Sequence, residues 1–204
     1  MSAPDIDDSD VTAVVEVLRS GRLSLGPAQE RFEDLLARYC GVKHAVAVSS
    51  GTAALHLLVR AMGVGPGDEI LVPSFTFAAS VNCILYEGAV PVFVDIEPET
   101  YNLDPVDLER RITPRTRAIV AVDCFGHPAG WDEIQRISRE HDLRVIDDSC
   151  EALGARYRDR MIGSFGDAAA FAFYANKQIT TGEGGMIVTD DDDIAESCRS
   201  WRNQ

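Results

Sequence analysis

Gly163-Ser164-Phe165-Gly166-Asp167-Ala168-Ala169-Ala170-Phe171-Ala172-Phe173-Tyr174-Ala175-Asn176-Lys177-Gln178-Ile179-Thr180-Thr181-Gly182-Glu183-Gly184-Gly185-Met186 is the stretch on which the reading of this chain turns. It opens on a Gly-rich turn and passes through an apolar run that predicts a strand from Ala168 to Tyr174. It then delivers one lysine into a polar loop that closes on glycines. Gly182, Gly184 and Gly185 permit backbone conformations and close approaches that a side chain would block. Lys177 then stands just past a strand end, the edge at which open α/β sheets gather their ligands. Taken alone the segment favours structure over chemistry, because lysine is mostly a solvated surface residue. The rest of the chain has to decide.

Upstream, the pattern is one of alternating units. Strands are predicted at His44–Val48, Asp68–Val72, Val90–Asp95, Ala118–Asp123 and Arg144–Asp148. Between them lie helices carrying Ala54, Leu55, Leu57, Leu58 and Met62, then Phe77–Tyr86, Asp104–Ile112 and Trp131–His141. Repeated β-α units with near-continuous Val/Ile strands predict an α/β fold, a mostly parallel sheet covered by helices on both faces. Downstream of the lysine come a strand at Met186–Thr189 and a helix capped by Asp191 or Asp192, which is expected still to be running at Ser200–Gln204.

Two helices precede the sheet. Asp8 or Ser9 is positioned to cap the first, with Val11, Val14, Val15 and Leu18 at helical spacing and Gly21 past its end. Pro27 starts the second, in which Phe32, Leu35, Leu36 and Tyr39 repeat the spacing before Gly41. Both are amphipathic, so both are expected to pack on something. The chain thus divides into residues 1–42 with the N-terminal helices, 43–190 with the sheet, and 191–204 with the start of a last helix, all within one 1–204 domain.

Composition narrows the function. A length of 204 residues with 46% hydrophobic content suits one well-cored α/β domain. A formal net charge of −14 argues against nucleic-acid and anionic-membrane partners, which call for basic faces. No apolar run approaches the ~18 residues of a membrane span and no signal-peptide pattern opens the chain, so a cytoplasmic protein is expected. The five cysteines form no Cys-x-x-Cys pair and the four histidines are dispersed, so the cysteines are expected to be reduced core residues and no metal site is expected.

Three further strand ends carry polar or aromatic residues. Ser50-Gly51-Thr52 opens a helix after the strand at Val48 and offers free backbone N–H groups to an anion; an ordinary Ser/Thr cap reads equally well. Pro73-Ser74-Phe75-Thr76-Phe77 puts aromatics at the next strand end, as core or as a stacking platform. Asp147 and Asp148 end a third strand, and one of the two can point into the cleft. A parallel sheet gathers these ends on one edge. An anion seat, a flat aromatic, a carboxylate and a lysine together describe a site for pyridoxal 5′-phosphate: phosphate at the helix N-terminus, ring on the aromatic, ring nitrogen on the carboxylate, aldehyde on the lysine.

At this point a family resemblance can be stated on its residues. Pro66-Gly67-Asp68-Glu69, Pro73-Ser74-Phe75-Thr76-Phe77, Gly88-Ala89-Val90-Pro91-Val92-Phe93-Val94-Asp95, Ile146-Asp147-Asp148, Gly163-Ser164-Phe165-Gly166-Asp167 and Lys177 through Gly185 resemble the DegT/DnrJ/EryC1/StrS aminotransferases, which act on keto sugars of nucleotide-sugar pathways. The resemblance implies the large domain of a fold type I aminotransferase, a homodimer with sites at the interface, a nucleotide-sugar substrate and an amino-acid donor. Lys177 matches the Schiff-base lysine and Asp148 the carboxylate of the ring nitrogen. Ser50, Gly51 and Thr52 match the phosphate cup, and Phe77 the stacking aromatic. Glu151 stands where many members carry His or Gln beside the cofactor. Members similar to perosamine-type synthases have Glu there, which points to a 4-keto sugar.

Two departures accompany the resemblance. Ala172 replaces a serine that usually binds the cofactor phosphate. The small C-terminal domain that family members carry is absent from the 204 residues, which motivates a second expectation: a catalytically silent chain that needs a separate C-terminal half. A third, a pyridoxal-phosphate-dependent sugar dehydratase, is opposed by Lys177, since the dehydratases that resemble this chain carry histidine in its place.

Overall fold

The computed structural model describes residues 3–203. Its elements are α1 (Asp8–Ser20), α2 (Pro27–Cys40), β1 (His44–Val48), α3 (Gly51–Ala61), β2 (Glu69–Pro73), α4 (Ala79–Tyr86), β3 (Val90–Val94), α5 (Pro105–Arg110), β4 (Thr116–Val122), α6 (Trp131–Glu140), β5 (Arg144–Asp148), the two-residue strands β6 (Arg156–Tyr157) and β7 (Arg160–Met161), β8 (Ala168–Ala172), β9 (Gly185–Thr189) and α7 (Asp192–Trp201). Seven strands form one sheet in the order β1-β9-β8-β5-β4-β2-β3. Strands β3, β2, β4, β5 and β8 are mutually parallel; β9 runs antiparallel to both β8 and β1. The mostly parallel α/β sheet is therefore as the alternating units predicted, with one reversed strand supplied by the hairpin that carries Lys177.

Strand periodicity assigns the two faces. Ile146 of β5, Val120 of β4, Ala168 and Ala170 of β8 and Ile187 of β9 pack with Leu55 and Leu58 of α3, Ile84 of α4 and Ile194 of α7. On the opposite face Val145 and Ile119 join Leu108 of α5 and Trp131, Ile134 and Ile137 of α6. Ala169, Phe171, Met186 and Val188 meet Leu36, Ala37 and Cys40 of α2 beside them. Each β residue thus alternates between two helical layers, as the period of two requires.

The ends of elements differ in detail from expectation. The cap of α1 is Asp7, whose Oδ1 accepts from Ser9 N at 2.7 Å and Asp10 N at 3.2 Å, while Asp10 Oδ2 accepts from Asp7 N at 3.0 Å. That reciprocal box satisfies more of the helix's free amides than a cap at Asp8 or Ser9 would. β8 stops at Ala172, because Phe173 N turns to Gly184 O and Tyr174 O accepts from Lys177 N. α7 is capped by Asp191 and closes at Trp201, where Arg202 turns its guanidinium onto Glu33 and the Ala47 carbonyl. Gln204 lies outside the described residues.

The expected packing of the two N-terminal helices holds for only one. α2 buries Leu36, Ala37 and Cys40, and leaves Leu35 and Tyr39 exposed. Glu33 anchors it by accepting from Ala47 N of β1 at 2.8 Å. α1 buries nothing: Val11, Val14 and Leu18 are more than half exposed. No helix among the described residues is long and apolar enough to cross a membrane. The five cysteines are free thiols.

Phe171 is fully buried between α2 and the β8–β9 hairpin. Phe171→Ala is expected to cost about 3–5 kcal/mol of unfolding free energy, read from urea denaturation followed by circular dichroism.

Candidate active site

The parallel strands and the hairpin loop bring the predicted residues to one edge. Ser50 caps α3, its Oγ accepting from Ala53 N at 3.1 Å. The Ser50 hydroxyl is therefore used as a cap, and the amides of Gly51 and Thr52 remain as the donors at the helix N-terminus. The backbone here is packed too closely for side chains. A Cβ on Gly51 would lie 2.8 Å from both Ala172 Cβ and Cys150 Sγ, and one on Gly185 would lie 2.7 Å from Gly51 N and against the Ser50 carbonyl. Gly51, Ala172, Cys150 and Gly185 thus make a single floor under the N-terminus of α3.

Asp148 closes β5 on the α3/α4 face of the sheet. Its Oδ2 accepts from Ser80 Oγ at 2.6 Å, and Ser80 Oγ meets Thr76 Oγ1 at 2.8 Å. Its Oδ1 lies 3.3 Å from the Cys150 amide. Asp148 is buried, 6% exposed, yet keeps hydroxyl and amide donors, the arrangement a buried carboxylate requires. Phe77 follows Thr76 and is exposed, at the open side of this edge.

Lys177 enters from the β8–β9 loop. Its Nζ is 3.2 Å from Glu151 Oε1, with 18% of the lysine side chain and 46% of the glutamate side chain exposed. Gln178 Nε2 bonds the Glu151 carbonyl and fixes the same turn from the other side. The loop is held shut by Thr180 Oγ1 and Thr181 N, both donating to Phe173 O at 3.1 and 3.0 Å. The Cys150 thiol, between Asp148 and Lys177, is raised well above the usual thiol range, by burial first and by the Asp148 carboxylate second. It is not a nucleophile in this state.

Asp147 is placed away from the cleft. It is fully buried on the α6 face with Asp123, reached by Ser149 Oγ at 2.5 Å and Gly163 N at 3.2 Å. The choice between Asp147 and Asp148 that the sequence left open is thereby made. Beyond these groups three exposed aromatics form a rim: Phe75, Tyr101 and Phe125 have ring centroids 5.4–6.4 Å apart.

The DegT/DnrJ/EryC1/StrS aminotransferase family matches residues 4–204 of this chain. The chain belongs to that family. It is 50% identical to a GDP-perosamine synthase of Caulobacter vibrioides, over 100% of this chain and 55% of the relative. It is 48% identical to the spore coat polysaccharide biosynthesis protein SpsC of Bacillus subtilis, over 97% of this chain and 51% of the relative. An aminotransferase structure from Psychrobacter cryohalolentis superposes with a TM-score of 0.95 at 34% identity, over 98% of this chain and 52% of that one. The chain thus spans about half the length of the relatives it matches, and its architecture is that of the fold type I large domain.

Sequence reading did not place Ser80, the donor on Asp148, at this edge, although Thr76 and Ser80 stand four residues apart just after the strand end. Gly185 was expected to permit a close approach, and β9 passes against the Ser50–Gly51 peptide there. Cys150 was expected to be a reduced core residue; it is a free thiol packed against the core and it also lies beneath Gly51.

Ser80 is fully buried, so Ser80→Ala leaves Asp148 Oδ2 without that donor. A loss of about 1–3 kcal/mol in unfolding free energy is expected. An unchanged urea midpoint would show that the bond contributes nothing.

Proposed function

We propose that this chain is the cofactor-binding large domain of an aminotransferase that moves an amino group from an amino acid to a nucleotide-linked keto sugar, with pyridoxal 5′-phosphate as cofactor. The observation that carries the reading is the convergence of Lys177, Asp148 and the N-terminus of α3 on one sheet edge, over a floor in which neither Gly51 nor Gly185 has room for a side chain.

The residues fit this cofactor by their chemistry. The amides of Gly51 and Thr52, with the dipole of α3 behind them, suit a phosphate dianion. The glycines of the floor let β9 and the start of α3 pack backbone to backbone, which fixes where those amides stand. Asp148, buried and held by Ser80, suits a protonated ring nitrogen, and Phe77 offers its face to the ring. Lys177 supplies the amine for covalent attachment. When bound, the cofactor would serve as an electron sink for the carbon that loses a proton.

This chain's residues have the remaining tasks. Asp148 would keep the ring nitrogen protonated. Lys177 Nζ would act as the base that accepts the α-carbon proton of the amino donor and, in the return half of the reaction, as the acid that delivers a proton to the sugar carbon that gains nitrogen. Glu151 Oε1 orients the Lys177 side chain from 3.2 Å. Glu at position 151 also favours a 4-keto sugar, in keeping with the similarity to a GDP-perosamine synthase. Lys177 favours amino transfer over dehydration. A second copy of the chain is proposed as the partner.

Borohydride reduction after incubation with pyridoxal phosphate is expected to fix one cofactor mass on the peptide carrying Lys177, and none in Lys177→Ala. Labelling that persists in the variant would remove the assignment. Asp148→Asn is expected to keep the label while slowing exchange of the amino group with the donor amino acid by about 10²–10³-fold, as for loss of a preorganised charge partner. Near-normal exchange would move that role elsewhere. Position 172 lies against the N-terminus of α3, so Ala172→Ser is expected to tighten cofactor binding about tenfold by adding a hydroxyl donor to a charged acceptor. Equilibrium dialysis reads this, and unchanged affinity would place the phosphate elsewhere.

A further inference from the structure

The α6 face of the sheet holds two carboxylates for which the proposed chemistry has no use. Asp123 follows β4 and Asp147 is the penultimate residue of β5; both are 0% exposed. In the parallel register Ala121 is opposite Asp147, and Val122 opposite Asp148, so Asp123 and Asp147 leave the sheet on the same side.

The two carboxyls are within hydrogen-bonding reach of each other, and the N–H and O–H groups that approach them are few. Asp123 Oδ1 accepts from Ala129 N at 2.7 Å and from Trp131 Nε1 at 3.2 Å. Asp147 Oδ2 accepts from Gly163 N at 3.2 Å. Ser149 Oγ stands between the two remaining oxygens, 2.5 Å from Asp147 Oδ1 and 3.4 Å from Asp123 Oδ2. A hydroxyl has one hydrogen and cannot serve both. The titratable groups that bear on Asp147 besides Asp123 are Cys40 of α2 and Cys150 in the turn beyond, and neither is cationic. No Lys, Arg or His forms an ion pair with either carboxylate among the described residues. Two buried negative charges without a counter-ion would cost several kcal/mol. One added proton completes the set: Asp147 Oδ1 donates to Ser149 Oγ, and the Ser149 hydroxyl hydrogen goes to Asp123 Oδ2.

We propose that Asp123, Ser149 and Asp147 hold one proton in common at neutral pH. We further propose that this singly protonated pair is a positioning device: it fastens the ends of β4 and β5 to the start of α6 and so sets where Asp148 stands at the strand end. The proton shifts agree in direction. Burial pushes Asp123 up to about 6, and pushes Asp147 well above the carboxylate range with the Asp123 charge adding to it. Only the part that concerns Asp148 rests on the function proposed above. The shared proton is tested on the chain without cofactor, so failure of one does not imply failure of the other.

Carbon-13 NMR of chain labelled in aspartate carboxyls is expected to show one un-ionised carboxyl at about pH 7; a spectrum with every aspartate ionised overturns the proposal, and this needs no variant. In Asp147→Asn, whose amide can donate to Ser149 as the acid does, that resonance should vanish. Persistence of the resonance in the folded variant overturns it as well. Stability gives a second readout. A carboxyl with a raised folded pKa binds its proton in the folded chain and loses it on unfolding, so its contribution is present at low pH and falls as pH rises. Between pH 6 and 8 the unfolding constant of the wild type, relative to that of Asp147→Asn, should therefore rise about tenfold per pH unit. A ratio independent of pH overturns the shared proton.

Discussion

Because successive side chains of a strand leave opposite faces of the sheet, the two aspartates that end β5 are sent to environments with nothing in common. Ile146 belongs to the layer under α3 and α4, and Val145 to the layer under α6, which already fixes where Asp148 and Asp147 must go. Asp148 meets Ser80 of α4 at the cleft, and Asp147 meets Asp123 and Ser149 out of reach of water. A shift of β5 by one residue against β4 would exchange the two and put an unsatisfied carboxylate into each layer. The parallel register Ala121 to Asp147 is thus a condition of the site as much as of the fold.

A second constraint acts at the other end of the cleft, where three segments share a space too small for side chains. β9 passes under the Ser50–Gly51 peptide at Gly185, and Gly51 in turn leaves no room between itself, Ala172 and Cys150. β9 can pass there because it runs antiparallel between β1 and β8, returning from the lysine loop directly beneath the start of α3. The hairpin therefore does two things at once. Its loop carries Lys177 to the edge, and its returning strand supplies the floor on which α3 presents its amides.

What the sequence disclosed follows from which interactions are local. The β-α alternation, the glycines after α1 and α2, Pro27 at the start of α2 and the aspartates before α7 are each set by neighbours in the chain, and the fold matches them to within a few residues. Long-range pairings were the harder part. Ser80 reaches Asp148 across 68 positions, and Thr180 and Thr181 serve the Phe173 carbonyl only because the loop folds back on itself. Periodicity identified an apolar stripe on α1 but could not say what lies opposite it, and the stripe is exposed. Leu35 and Tyr39 of α2 were misjudged for a related reason: the buried stripe is centred on Leu36, Ala37 and Cys40, and Glu33 at its edge is polar because it caps the Ala47 amide and holds Arg202.

Three acids within five residues, Asp147, Asp148 and Glu151, show how one chemical group is given different work by its surroundings. Asp147 is fully buried with no ion pair among the described residues, beside a second acid and a hydroxyl that both approach. Asp148 is nearly as buried but has Ser80 behind it and open cleft ahead, so its charge is directed outward. Glu151 comes after the chain has left the strand, is half exposed, and meets the lysine delivered by a different hairpin. In a chain with a formal net charge of −14 the cleft would otherwise repel an anionic ligand. The proposed proton on the buried Asp123–Asp147 pair and the ion pair of Glu151 with Lys177 would lessen that repulsion, leaving the amides of α3 to favour an anion at the edge.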